Sequence, residues 1–326
     1  MQSERIAQTS AEPAINRLAG RGGVIKGSRV WAKGGAAGRR LSTRKQIGLQ
    51  VICLFITFTV LFPILWVLSI SVDPRGLTRP DGLNLIPPGI SFDAYGQVIK
   101  QPTLNPISFL ELARNSFIIA SLTSLLSVGI GLTAGYAFSR MRFRFREALM
   151  LSVLAVLMLP AVATIAPLFV LLTRIQIGDF VLGRTILGVV IAITASVLPF
   201  AIWNLKGYLD TIPRDLEEAA AVDGADIHQT FLKVILPLSV PALAVTGFLG
   251  FISGWTEFYF TSTFLSGSVP NHTLALALNA MVGQFAATPW SQFSAFALLF
   301  AIPPAVVYFI IQRWITSGLA VGAVKG

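Results

Sequence analysis

The sequence predicts an all-α membrane protein with six spanning helices and both termini on the cytoplasmic side. Three observations lead there. Of 326 residues, 54% are hydrophobic and only 12% charged, a departure from soluble proteins toward polytopic membrane proteins. The charges cluster, leaving long apolar windows between them. One polar stretch, 203–241, interrupts the windows with features of a built element rather than a plain loop.

The uncharged windows run from Gln46 to Val72, Asn115 to Ser139, Ala148 to Thr173, Thr185 to Leu205 and Val234 to Thr256, with lengths of 27, 25, 26, 21 and 23 residues. Each can hold one spanning helix, which needs about 20 apolar residues. A sixth window, Phe258 to Gln312, holds 55 residues and is broken by Ser266-Gly267-Ser268-Val269-Pro270-Asn271-His272. It is read as the end of the fifth span, a loop, and a sixth span near Trp290 to Gln312. Orientation follows from basic residues, which stay on the cytoplasmic side during insertion. Segments 1–46, 140–147, 206–233 and 313–326 carry 19 of the 25 Lys and Arg, and the alternate segments 73–114, 174–184 and 265–289 carry 6. The net charge of +10 therefore reports topology and gives no reason to expect nucleic acid.

Residues 1–46, with Gly-Arg-Gly-Gly and Gly-Gly-Ala-Ala-Gly-Arg-Arg, lack a hydrophobic period and read as a disordered basic cytoplasmic tail, with contact to anionic membrane lipid an option. The apolar run that follows is too long for a cleavable signal peptide. Cys53, the one cysteine, falls within the first span and is expected to be a small buried hydrophobe. The two histidines, His228 and His272, fall on opposite sides, so no metal site is expected. In the second span Gly131 and Gly135, four residues apart, allow close helix contact. Arg140, Arg142, Arg144 and Arg146 anchor the next inner loop. Pro160, Pro167 and Pro199 lie at membrane depth, where proline bends helices.

The polar stretch follows. Between Lys206 and Lys233 stand nine charged residues, and Leu216 to Val222 consists of helix formers without a breaker. Thr211 or Asp215 is suited to cap this helix, with Pro213 in its first turn. Gly224 has the freedom to end it, and Asp226 to cap a second helix running through Phe231 into Ile235-Leu236-Pro237. An amphipathic helix lying on the membrane without a partner is the alternative.

Glu218-Ala219-Ala220, Asp223-Gly224-Ala225 and Ile235-Leu236-Pro237, at these spacings, resemble the coupling-loop motif of the membrane subunits of bacterial ABC importers. Further stretches point to the carbohydrate type, resembling the second six-span permease of maltose-type systems. These are Phe92-Asp93-Ala94-Tyr95, Leu198-Pro199-Phe200-Ala201-Ile202-Trp203, Trp255-Thr256-Glu257, and the end from Gln312-Arg313-Trp314 to Gly322-Ala323-Val324-Lys325-Gly326. Thr256 departs from the family's usual asparagine. The resemblance covers 47–326 and implies a type I ABC importer transmembrane domain, with the coupling loop at 206–237.

It implies a permease subunit in the bacterial inner membrane that translocates a mono- or oligosaccharide delivered by an extracytoplasmic binding protein. The same architecture importing glycerol phosphate or another polyol is an alternative, and a secondary transporter a more distant one. The partners implied are a second permease subunit, an ATPase dimer that binds ATP and Mg, and the binding protein, which loop 265–289 would contact. This chain has no phosphate loop and is not expected to be an enzyme or to hold a cofactor. The resemblance places the ATPase contact on Glu217, Glu218, Ala219, Ala220, Asp223, Gly224 and Ala225. Glu257, an acid within a span, should face protein, water or the interface. With Trp255 it is the candidate for the substrate path.

Overall fold

The computed structural model describes residues 42–76, 85–282 and 289–323, with side chains as far as 315. Residues 1–41 of the basic tail and Val324–Gly326 at the other end lie outside them. The described residues are mostly helical. The helices are α1 (Thr43–Ser71), α2 (Asp93–Lys100), α3 (Phe109–Arg140), α4 (Arg146–Leu157), α5 (Ala161–Thr173), α6 (Ile186–Leu209), α7 (Asp215–Val222), α8 (Ile227–Leu238), α9 (Val240–Trp255), α10 (Tyr259–Phe264), α11 (Leu274–Val282) and α12 (Trp290–Ala323). A two-residue hairpin pairs Gln176 with Val181 and Ile177 with Phe180.

The chain divides into two compact units, 1–60 and 61–326. In the first, the described residues are the opening turns of α1, and every one is exposed, Cys53 included. The expectation of a buried cysteine is therefore corrected: this side of the helix has no protein neighbour within its unit, and an apolar surface of this kind suits lipid as well as it suits protein.

The second unit is organised on α3. Its Gly131 and Gly135 lie against α6, where a Cβ at Gly131 would meet Ala201 Cβ at 3.1 Å and one at Gly135 would meet Lys206 N at 3.1 Å. On another side α9 presents Gly247, Gly250 and Gly254, one face of a helix at i, i+3 and i+7. A Cβ there would meet Ser124, Ser127 Oγ at 2.6 Å, and Ala120 Cα at 2.7 Å. Glycine is what lets these backbones approach, and dispersion and hydrogen bonds then hold them where water exclusion offers little. Ser124 Oγ donates to Gly247 O at 2.7 Å, and Asn204 Nδ2 of α6 donates to Thr246 Oγ1 of α9 at 2.9 Å.

Among the described residues four helices are long and apolar enough to span a membrane, or up to six if each of two bent pairs counts as one. The window Ala148–Thr173 does not form one straight helix. It breaks between α4 and α5 with a 104° bend. Pro160 sits at the N-cap of α5 with extended backbone; a proline disfavours helical geometry in the residue before it and supplies no N–H to continue α4. Pro167 and Pro199, by contrast, lie inside α5 and α6. The fifth window is also bent, by 74° between α8 and α9.

Segment 265–289, read as a loop, contains α11, whose Leu274, Ala277 and Met281 are buried with Trp255 and Phe296. Polar groups of α3 hold it. Asn115 Nδ2 donates to Pro270 O at 2.8 Å and His272 O at 2.9 Å, and Ser116 Oγ accepts from Leu274 N at 2.9 Å. Asn115→Ala should leave two carbonyls without their donor, at a cost of about 1–3 kcal/mol. The melting temperature of the purified chain in detergent should fall accordingly; an unchanged value would show that the latch contributes nothing. On the same side, Tyr95 of the Phe92-x-x-Tyr95 element shares a 2.8 Å hydrogen bond with Ser71 at the end of α1.

Candidate functional site

Helix α7 forms where the run of helix formers ends in Asp223-Gly224-Ala225. Its start corrects the expected caps. The N-cap position is Arg214, in helical geometry and without a side-chain cap bond, and neither Thr211 nor Asp215 takes that role. Thr211 Oγ1 instead donates back to Tyr208 O at 2.7 Å. Asp215, Glu217 and Glu218 occupy the first turn, where negative charge complements the helix dipole.

The other end follows from the sequence closely. Gly224 adopts φ +86°. Its N–H donates to Ala221 O at 3.1 Å, and Ala225 N donates to Ala220 O at 2.9 Å. This pair of bonds is the Schellman closure, which needs a left-handed residue after the C-cap, here Asp223. Ala220, Asp223, Gly224 and Ala225 thus act first as the machinery of one corner. Asp226 then caps α8, its Oδ1 accepting from Gln229 N at 2.7 Å. The second helix is not uniform: it widens into a π turn over Phe231–Ile235 before Pro237.

The two sides of α7 differ. Glu217 is turned inward, 19% exposed, and forms an ion pair with Arg140 at the end of α3, itself 7% exposed. Tyr136 Oη donates to the other Glu217 oxygen at 3.2 Å, and Arg140 Nη2 donates to Ile212 O at 2.7 Å. Beside them Ser139 Oγ donates to Asp210 Oδ1 at 2.6 Å, Lys206 Nζ pairs with Asp210 Oδ2 at 2.6 Å, and Arg214 Nη2 donates to Ser139 O at 3.3 Å. Burial works against a charged Asp210, but the hydrogen bonds from Lys206 and Ser139 outweigh it and hold the carboxyl below its ordinary range. Beneath lies an apolar base of Leu205, Leu209, Ile212 and Ile235. Phe231 stacks edge-on against Tyr136 at 4.9 Å.

The outer side is open. Glu218, Ala219, Asp223 and Gly224 are exposed, and Leu216, Ile227 and Val222 add apolar surface, Val222 at 88%. Among the described residues neither Glu218 nor Asp223 has an ion-pair partner. A mixed apolar and acidic surface on a rigid two-helix corner suits docking into a groove with basic edges.

Trp255 and Glu257 lie elsewhere, at the far end of α9, whose 16 residues measure roughly 24 Å. Trp255 is 1% exposed, its ring stacked on Phe251 and its Nε1 donating to Phe300 O at 3.1 Å. It therefore presents no free face in this chain. Glu257 Oε1 accepts from Phe260 N at 2.8 Å, in the first turn of α10. A largely apolar cavity of about 330 Å³ opens between α3, α6 and α9, lined by Val197, Phe200, Ala201, Leu249 and Gly250 together with the hydroxyl residues Ser127, Ser196, Thr246 and Ser253. These hydroxyls were missed in the sequence because serine and threonine in apolar helices also bond their own backbone, as Ser253 does to Leu249 O. Also missed was the partnership of Arg140 with Glu217. Among the described residues no cluster of three metal-ligating side chains occurs.

The family model for the inner membrane component of binding-protein-dependent transport systems matches residues 127–321. The maltose/maltodextrin transport system permease protein MalG of Photorhabdus laumondii is 37% identical over 277 residues, covering 82% of this chain and 91% of that one. The trehalose/maltose transport system permease protein MalG of Thermococcus litoralis is 32% identical, covering 86% of this chain and 98% of its own. In fold the chain is similar to a solved bacterial ABC transporter involved in the import of the acidic polysaccharide alginate, with a TM-score of 0.67 and 23% identity over 82% of this chain and 95% of the other.

Proposed function

This chain belongs to the family of inner membrane components of binding-protein-dependent transport systems, a multi-pass membrane subunit, and from that premise we propose that it is one permease half of an ATP-driven sugar importer. The observation that carries the reading is the corner α7–Gly224–α8: a capped, rigid element with an open acidic and apolar face, held between membrane helices. Its geometry fits a groove on an ATPase subunit. Glu218 and Asp223 would meet basic residues there, and Ala219, Val222 and Ile227 would fill the apolar part.

Six spans arise if α1, α3, α4–α5, α6, α8–α9 and α12 each cross once, which puts both termini and α7 in the cytoplasm and leaves 1–46 as a cytoplasmic tail. The last four residues of that tail, from Thr43, already open α1. The uneven distribution of Lys and Arg supports that orientation. The second permease subunit completes the channel, and a soluble receptor delivers the sugar to the opposite face, where segment 265–289 lies. The names of the maltose and trehalose relatives support a neutral oligosaccharide. The largely apolar cavity by Phe200 offers an aromatic face with the hydroxyls of Ser127, Ser196, Thr246 and Ser253 on its wall, a surface on which a sugar could rest, while Trp255 and Glu257 stand at the end of α9.

Tagged chain purified from mild detergent should bring down an ATPase and a second permease, and the reconstituted assembly should take up an oligosaccharide with ATP and the receptor. Recovery of the chain alone, or uptake driven by an ion gradient without ATP, would reject the importer.

A further inference from the structure

Four arginines alternate at 140, 142, 144 and 146, and orientation in the membrane accounts for all four equally well. The structure separates one from the rest. Arg142 and Arg144 are exposed and Arg146 half-buried, with no ion pair among the described residues. Arg140 is 7% exposed, and its guanidinium reaches two points of the coupling element: the Glu217 carboxylate on α7 and the Ile212 carbonyl just before it. A charge this well removed from solvent stays only if it is paired and hydrogen-bonded, and breaking one partner leaves the other stranded.

The position of the pair matters as much as its burial. Glu217 sits one residue before Glu218, so adjacent carboxylates of one helical turn point in different directions: Glu217 inward to the last turn of α3, Glu218 outward to solvent. We propose that Arg140 is a positioning residue of the transport cycle. It makes α3 move with α7, so that a displacement imposed on the outer face of the corner enters the membrane through α3 as well as through α6 and α9, the helices that lead into and out of the corner by continuity of the chain. Tyr136, hydrogen-bonded to Glu217 from one turn earlier in α3, and Arg214, bonded to Ser139 O, complete a clasp that closes over about one turn of each helix.

This rests on the reading of α7 as the ATPase contact, and the test separates the two. In the complete reconstituted importer, substrate molecules taken up per ATP hydrolysed are measured for wild type, Arg140→Gln, Glu217→Gln and the exchange Arg140→Glu with Glu217→Arg. The single variants are expected to lose about tenfold or more in this ratio, and the exchange to recover it to within about threefold of wild type. Recovery by exchange would not occur if the residues acted independently, and the ratio, unlike total uptake, does not change when less complex assembles. Single variants with an unaltered ratio, or an exchange no better than the singles, would overturn the clasp while leaving the importer intact. If Arg140→Gln fails to assemble, Glu217→Gln, which keeps the shape and removes the charge, decides on the same ratio. Failure of wild-type chain to couple uptake to ATP at all would instead reject the underlying function.

Discussion

Uptake by complexes carrying Gly224→Val is expected to fall about five- to thirtyfold per assembled complex. The size comes from the backbone. Gly224 sits at φ +86°, and an added Cβ would meet nothing within 4 Å, so crowding plays no part. An L-residue in left-handed geometry costs about 1–2 kcal/mol, and a β-branched one fits it worst. A penalty of that size shifts an equilibrium by a factor of about 5–30. The chain escapes by abandoning the Schellman bonds at Ala220 and Ala221, and α8 then leaves the corner in another direction. Because Gly224 is exposed and a Cβ there meets nothing within 4 Å, the amount of chain in the membrane should be unchanged. Gly224→Asn should retain most of the activity, since asparagine tolerates this geometry better than other side chains. Flux assays on purified, reconstituted complex test both; wild-type flux in the valine variant would show that the corner's shape does not matter.

The second large effect is on stability and has a sign that composition alone would get wrong. Alanine for glycine within a helix ordinarily gains about 1 kcal/mol. At Gly254 the new methyl would lie 2.7 Å from Ala120 Cα and 3.1 Å from Ala120 N. Both are backbone atoms of α3, with no rotamer to yield, so the helices must part. Overpacking of this kind costs about 1–3 kcal/mol, and valine costs more than alanine. Gly254→Ala should therefore lower the melting temperature in detergent and Gly254→Val lower it further. Gly129→Ala, on an open face of α3, should leave it equal or raised, because nothing lies within 4 Å of the added methyl. If Gly254→Ala melted like Gly129→Ala, the close approach of α9 to α3 would be refuted.

The sequence made the long helices α3 and α6 legible because their windows are bounded by arginine and lysine and carry no charge inside. It made the corner legible because helix formers, a glycine and an aspartate stand in the order that capping requires. What it hid has a common physical origin in distance along the chain. Leu274–Val282 looked like part of a loop since nine residues, eight of them apolar, are too few to span, and its place is set by Asn115 and Ser116, more than 150 residues earlier. Arg140 and Glu217 each had an adequate local explanation, one as a topology anchor and the other as a partner contact. Only folding shows that they answer each other. A bend at Pro160 was legible from the proline itself, but its 104° angle was not, because hydropathy measures length and not direction.

Helix α3 is gripped at both ends: near Asn115 by the carbonyls of Pro270 and His272, and at Arg140 by Glu217. The interval is 25 residues, roughly 38 Å of continuous helix. If α3 tilts as one rigid rod, it would work as a balance beam. Any receptor that settles on the 270–274 end and favours one tilt raises or lowers the affinity of whatever engages α7, and thermodynamic reciprocity requires the same factor in the reverse direction. News of an occupied receptor and news of bound nucleotide would then travel along one shared piece of backbone.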